Sequence, residues 1–141
     1  MAVLVVLDTN VLVAALRSRS GASFRVLSLV GTGRFEIAVS VPIVFEYESA
    51  LLRRAVTPHI RERELAAVVD YLCSVGRHVD ATYLWRPALP DADDDHVLEL
   101  AVAGGCDAIV TFNARDFVPA ASYGIGVWSP ADLLRRIGDI P

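Results

Sequence analysis

The sequence predicts an α/β fold of three layers, with a parallel sheet of about four to five strands held between helices. Short runs of branched apolar residues, at Val3 to Leu7, Phe35 to Ser40 and Asp107 to Thr111, are separated by segments of helical periodicity. That alternation builds parallel sheets. The first run is continuously apolar rather than alternating, as a strand covered on both faces requires. A length of 141 residues suits one domain burying roughly 68% of its unfolded surface, so residues 1–141 are expected to form a single domain.

The first run stops at Asp8, the first polar residue at a strand's carboxyl end. Such an acid can cap the next helix or face the crevice outside the strand ends, where open α/β sheets bind ligands. Thr9 or Asn10 can also cap that helix, whose inner residues are Val11, Leu12, Ala14 and Ala15. Arg17 to Gly21 reads as an exposed loop, and Ser23 as the cap of a short helix through Val30 that ends at Gly31 to Gly33. The strand from Phe35 to Ser40 leads to Pro42, placed in the first turn of a helix over PIVFEYESALLRR. Glu46 falls beside the apolar face of Ile43, Tyr47, Ala50 and Leu51, whereas Glu48 points to water. A carboxylate on that face needs an ion pair, with Arg53 or Arg54, or a bound cation.

Thr57-Pro58 is expected to cap and open a helix to about Ser74, with the stripe Leu65, Val68, Val69 and Leu72. Arg61 to Glu64 would be its solvated start. Val75 to Val79 holds a turn at Gly76 and a short edge strand. Tyr83 to Pro87 is an aromatic connector whose Trp85 either packs on the body or stacks on a base. Pro90 to Asp95 precedes the helix HVLELAVAGG, stopped by Gly104-Gly105. Acids in a first helical turn complement the macrodipole, but four carboxylates lie between Asp91 and Asp95. Two carboxylates ~4 Å apart repel by about 4 kcal/mol at an effective dielectric of ~20, so this cluster holds a cation or stands fully exposed. After the run from Asp107 to Thr111, Asn113 to Phe117 places Asp116 just beyond a strand's carboxyl end. Gly124 to Trp128 is the last strand, and Ser129-Pro130 caps a helix carrying Leu133, Leu134 and Ile137 inward.

The bulk numbers exclude several classes. Hydrophobic residues make up 54% of the chain, yet no run reaches the ~18 apolar residues of a membrane span. No basic flank or cleavage site marks an export signal, and Cys73 and Cys106 are lone cysteines expected to be buried; both suit a cytoplasmic protein. A net charge of −4 argues against coating nucleic acid by charge alone. All 13 basic residues are Arg, so a Walker-type lysine is absent, as is the lysine an aspartate-based phosphatase or receiver site needs. GTG at Gly31 to Gly33 lacks the dinucleotide fingerprint.

What remains is a set of acids, Asp8, Glu46, Asp94 and Asp116, brought to the strand ends by the predicted topology. Hard oxygen ligands select Mg²⁺ or Mn²⁺ over zinc, and the chemistry of those ions at such sites is phosphoryl transfer. Crowded carboxylates also imply that at least one has a raised pKa.

The stretches LDTNVLVAAL, Val39-Ser40 followed by FEY at Phe45 to Tyr47, DADDD leading to LELA, and VTFNARDF at Val110 to Phe117 together resemble the PIN-domain family. The branch is that of toxin components of bacterial toxin–antitoxin pairs, related to VapC. The resemblance runs from Val3 to about Leu134. It implies a PIN-like fold and an Mg²⁺- or Mn²⁺-dependent endoribonuclease cleaving single-stranded RNA, with Asp8, Glu46, Asp94 and Asp116 as its acids. Thr9, Asn10, Thr111 and Asn113 would support those acids or position substrate. A homodimer and an antitoxin lying over the acidic groove are implied as well. Ala92 stands where the branch commonly has proline; counting back from Ala101 and Gly105 selects Asp94 as the third acid, with Asp91 and Asp95 as alternates. The same site could serve RNA maturation or DNA repair, or survive in a degenerate interaction module.

Overall fold

The computed structural model describes residues 2–53, 58–81 and 86–141. Its sheet has five parallel strands, β1 (Leu4–Leu7), β2 (Glu36–Val39), β3 (Arg77–His78), β4 (Ala108–Val110) and β5 (Gly126–Trp128), in the order β3-β2-β1-β4-β5. The helices are α1 (Thr9–Arg17), α2 (Ala22–Leu29), α3 (Val41–Leu51), α4 (Glu62–Val75), α5 (Asp95–Ala103) and α6 (Pro130–Arg136). They flank the sheet as the predicted three layers: α2 packs against α6, while α5 lies on β1, β2 and β4.

The branched apolar runs become the central strands because only they tolerate cover on both faces. Val5 pairs with Ile37 on one side and Ala108 on the other, and Val5, Val6, Ala108, Ile109 and Val110 expose no surface. The strand order puts β2 and β4 on opposite sides of β1, so the chain's crossovers diverge between β1 and β4. A crevice at the carboxyl ends of such a pair is the topological switch point where α/β folds bind ligands. The ladder continues one residue past both strands, since Asp8 N–H donates to Val110 O and Thr111 N–H to Trp128 O, each at 2.9 Å. Asp8 and Thr111 are thereby fixed side by side on the sheet's edge.

Several helix starts differ from expectation. Asp8, not Thr9 or Asn10, is the N-cap of α1. Gly21 is the N-cap of α2, and Ser23 lies inside that helix with its hydroxyl buried and unpartnered. Arg61 is the N-cap of α4, so Pro58 occupies a turn rather than a first helical position; Glu62 and Glu64 in the first turn match the dipole there. Thr57 lies outside the described residues, as do Arg54, Tyr83 and Trp85. The other terminators act as read: Gly105, at φ +63°, follows α5, and Ser129 with Asp132 forms a capping box on α6. The short edge strand is β3, and Cys106 is buried while Cys73 is half-buried. Among the described residues, no helix is long and apolar enough to cross a membrane.

Candidate active site at the strand ends

Asp8 occupies extended backbone immediately after β1, and its two oxygens are divided between two jobs. Oδ1 accepts the Thr9 N–H at 2.9 Å, and Oδ2 accepts the Thr111 hydroxyl at 2.8 Å. Asp8 therefore caps α1 and also bridges β1 to β4 across the switch point. The Thr111 hydroxyl is a hub, since it also accepts Asn10 Nδ2 at 3.3 Å and the Asn113 N–H at 3.0 Å. Asn10 Oδ1 in turn accepts the Phe112 N–H at 3.3 Å. Burial raises the Asp8 pKa above the usual carboxylate value against the pull of the Thr111 and Thr9 hydrogen bonds, and the charge of Glu46 adds to the rise.

Glu46 reaches the same place from α3. That helix begins at Ser40, whose hydroxyl accepts the Ile43 N–H, and Tyr47 anchors it by donating its buried hydroxyl to Leu7 O. The residue before Tyr47 then faces the crevice beside Asp8. Its neighbour is His96, with Nε2 at 2.6 Å from Glu46 Oε2. The two are not aligned as a hydrogen bond, and that oxygen is buried without a hydrogen-bond partner. The expected ion pair with Arg53 is not formed, although Arg53 lines the same cleft.

Asp94 closes the single 3-10 turn Ala92–Asp94 and is the N-cap of α5 without making a side-chain cap bond, so its carboxylate is not spent on the helix. Burial pushes that carboxyl up to about 6, and the charges of Asp8, Asp91, Asp116 and Glu46 push in the same direction. The raised acid expected from crowding is thus Asp94, with Asp8 shifted the same way. Asp116 is half-buried in the 3-10 segment Ala114–Tyr123 that follows β4, its N–H donating to Asn113 O at 3.0 Å. An open cleft of about 440 Å³ gathers Asp8, Thr9, Asn10, Glu46, Asp94 and Asn113. The sequence-selected acids converge, three lining the cleft and the fourth within electrostatic reach of Asp94. The family model described as "PIN domain" matches residues 4–115, four fifths of the chain.

The chain belongs to the PIN-domain family. PIN domains are as a rule nucleases. This PIN domain is similar to two solved structures that show the fold. One is VapBC2 from Rickettsia felis bound to a DNA fragment from its promoter, at 15% identity over 89% of this chain and 98% of that one, with a TM-score of 0.58. The other is FitAcB from Neisseria gonorrhoeae, at 17% identity over 90% and 98%, also with a TM-score of 0.58. None of the curated proteins matches the chain.

The acidic run of this PIN domain divides by role. Asp95 is 0% exposed and turned away from the cleft, its carboxylate accepting the N–H groups of Ala88 and Leu89. It ties the approaching loop to α5. Asp91 is exposed, with Oδ1 taken by the Asp93 N–H at 2.9 Å. Of the three, only Asp94 lines the cleft. Sequence reading passed over His96, which touches Glu46, and Glu99, buried and ion-paired with Arg86. His96 follows the DDD run directly and shares the first turn of α5, which is the signal that could have flagged it.

The donor set fits a hard divalent cation. Thr9 Oγ1 and Glu46 Oε2 are buried oxygens of cleft residues that lack a hydrogen-bond partner, and every other polar group of the acid set is oxygen as well. Among the described residues, no three His, Cys, Asp or Glu side chains form a closed cation cage. The acids stand as an open set, and their repulsion adds to the burial that raises the Asp94 pKa.

Proposed function

We propose that this PIN domain is a metal-dependent endoribonuclease that cuts single-stranded RNA, acting as the toxin of a toxin–antitoxin pair. The observation that carries the reading is the convergence of Asp8, Glu46 and Asp94 on one cleft at the β1/β4 switch point, with Asp116 raising the Asp94 pKa from beside it. In this reading Asp8, Glu46, Asp94 and Asp116 hold Mg²⁺ or Mn²⁺. The bound ion supplies Lewis-acid polarisation of the phosphodiester and of the attacking water.

The chain's own groups set the geometry. Thr111 and the Thr9 N–H fix both Asp8 oxygens, so this acid enters the reaction in one orientation. Asn10 and Asn113 hold the Thr111 hydroxyl with its proton directed at Asp8, and both reach the cleft, where their amides can orient substrate. Tyr47 keeps α3, and with it Glu46, in register with the end of β1. The VapC-related motifs imply an antitoxin partner covering the cleft, a homodimer and a cytoplasmic site of action, and the likeness of fold to VapBC2 and FitAcB agrees with the toxin–antitoxin reading.

The test is cleavage of labelled single-stranded RNA by wild type and Asp94→Asn, with Mn²⁺ and with EDTA, beside structured RNA and flap DNA. Cutting is expected only for wild type with Mn²⁺, with a loss of at least ~100-fold in Asp94→Asn. Undiminished cutting by Asp94→Asn would remove that residue from the site, and preference for flap DNA or structured RNA would move the function to repair or RNA maturation.

A further inference from the structure

We propose that Arg17 and Arg53 form a phosphate-binding rim on the acidic cleft, gripping backbone phosphates of the substrate strand that flank the scissile one. This inference rests on the nuclease reading and adds to it how a site floored with carboxylates, in a chain of net charge −4, retains a polyanion.

Arg17 is the last residue of α1, and Arg53 follows Leu52, the C-cap of α3. The two helices pack against each other, and both arginines line the cleft that holds Asp8, Glu46 and Asp94. Among the described residues, five other arginines are spent on internal partners: Arg25 and Arg34 on Asp139, Arg77 on Glu36, Arg86 on Glu99, and Arg135 on Asp132. Among the described residues, the guanidinium groups of Arg17 and Arg53 make no ion pair or hydrogen bond, although three carboxylates share their cleft. Arg19, Arg63 and Arg115 are also unpaired, but they lie outside it.

Compensation of the α1 dipole accounts for a basic residue at position 17. It does not account for Arg53, nor for two unpaired guanidinium groups on one cleft. At 1.5 Å per residue, Arg17 stands ~13 Å along α1 from Asp8, and Arg53 ~10 Å along α3 from Glu46. That offset places the forks on neighbouring phosphates rather than on the reacting one. The planar fork matches a phosphodiester's two free oxygens and is weakly hydrated, so little is lost on binding.

The probe is a labelled single-stranded RNA oligonucleotide, bound in the Asp94→Asn background across a salt series. Arg17→Gln and Arg53→Gln are each expected to weaken binding about tenfold, and to reduce the slope of log K against log salt by about 0.7 per lost contact. Arg63→Gln, which removes the same charge from α4, is expected to change neither. Replacing both rim residues by Lys keeps the charge without the fork, so the slope stays while affinity drops; this pair also serves if a Gln variant fails to melt like the parent. In the cleavage-competent chain, a dinucleotide lacking flanking phosphates is cut equally with or without the rim arginines. Unchanged affinity and slope in both Gln variants, or an equal loss in Arg63→Gln, overturns the rim while leaving the nuclease reading intact. If the cleavage-competent wild type neither binds nor cuts single-stranded RNA, both readings fall.

Discussion

At neutral pH the Asp94 carboxylate is ionised in a place that favours its protonated form. Its folded-state pKa is raised from 3.8 to about 6, so between those values the native state binds a proton that the unfolded chain has released. Stability therefore falls, on this residue's account, as pH rises from ~4 to ~6, and the full penalty persists above that. Asp94→Asn is expected to raise the melting temperature of cation-free protein at pH 7.5, with the gap closing by pH 4. Thermal melts in EDTA across that range measure it; a gap independent of pH would mean that Asp94 is not the group at fault. Asp8, shifted in the same direction by burial, adds to the slope that remains in the variant. On the proposed reading, such a gain on removing Asp94 is the usual stability cost of a preorganised site.

The start of α5 shows how one short acidic run serves an element and a site together. Asp95 clamps the N–H groups of Ala88 and Leu89 while Asp94, one residue earlier, faces the cleft. Losing the clamp in Asp95→Ala leaves those donors without their carboxylate and is expected to cost ~2–4 kcal/mol in urea unfolding. Asp93→Asn, at an exposed position, should stay within ~0.5 kcal/mol; equal effects in the two variants would refute the division of labour. The strands were legible because a doubly covered strand must be apolar throughout, and the acids because a polar residue ending such a strand stands out. Which of four neighbouring acids faces the cleft was legible only through the family register, which selected Asp94. Local spacing alone could not make that choice, because a 3-10 turn precedes Asp95 and its side-chain directions do not follow a regular helical period. His96 as the neighbour of Glu46 depends on how α3 and α5 meet, which no local pattern encodes. The start of α4 was misplaced for a related reason: proline fixes its own φ in a turn as readily as in a first helical residue.

For the whole molecule, the open acid set couples cation binding to protons and to folding. On the proposed reading, a cation entering the cleft displaces the proton that Asp94 holds below about 6. Stabilisation by Mg²⁺ or Mn²⁺, about 2.7 kcal/mol when the ion is at 100 times its Kd, should therefore be larger at pH 7.5 than at pH 5.5 for the same ion concentration. Differential scanning calorimetry with an ion titration at the two pH values measures this. A melting temperature that ignores both ions at both pH values would sink the metal site.

The pairing of β1 with β4 joins Val5 to Ala108, and so sets a clock on synthesis. Ribosomes add about 5–20 residues per second, so the first strand waits about 5–20 s for the neighbour that covers its second edge. Until then Asp8 has neither Thr111 nor Asp94 beside it. On the proposed reading, a ribonuclease made in the company of its own message would, by this arrangement, stay harmless until most of its chain had been translated.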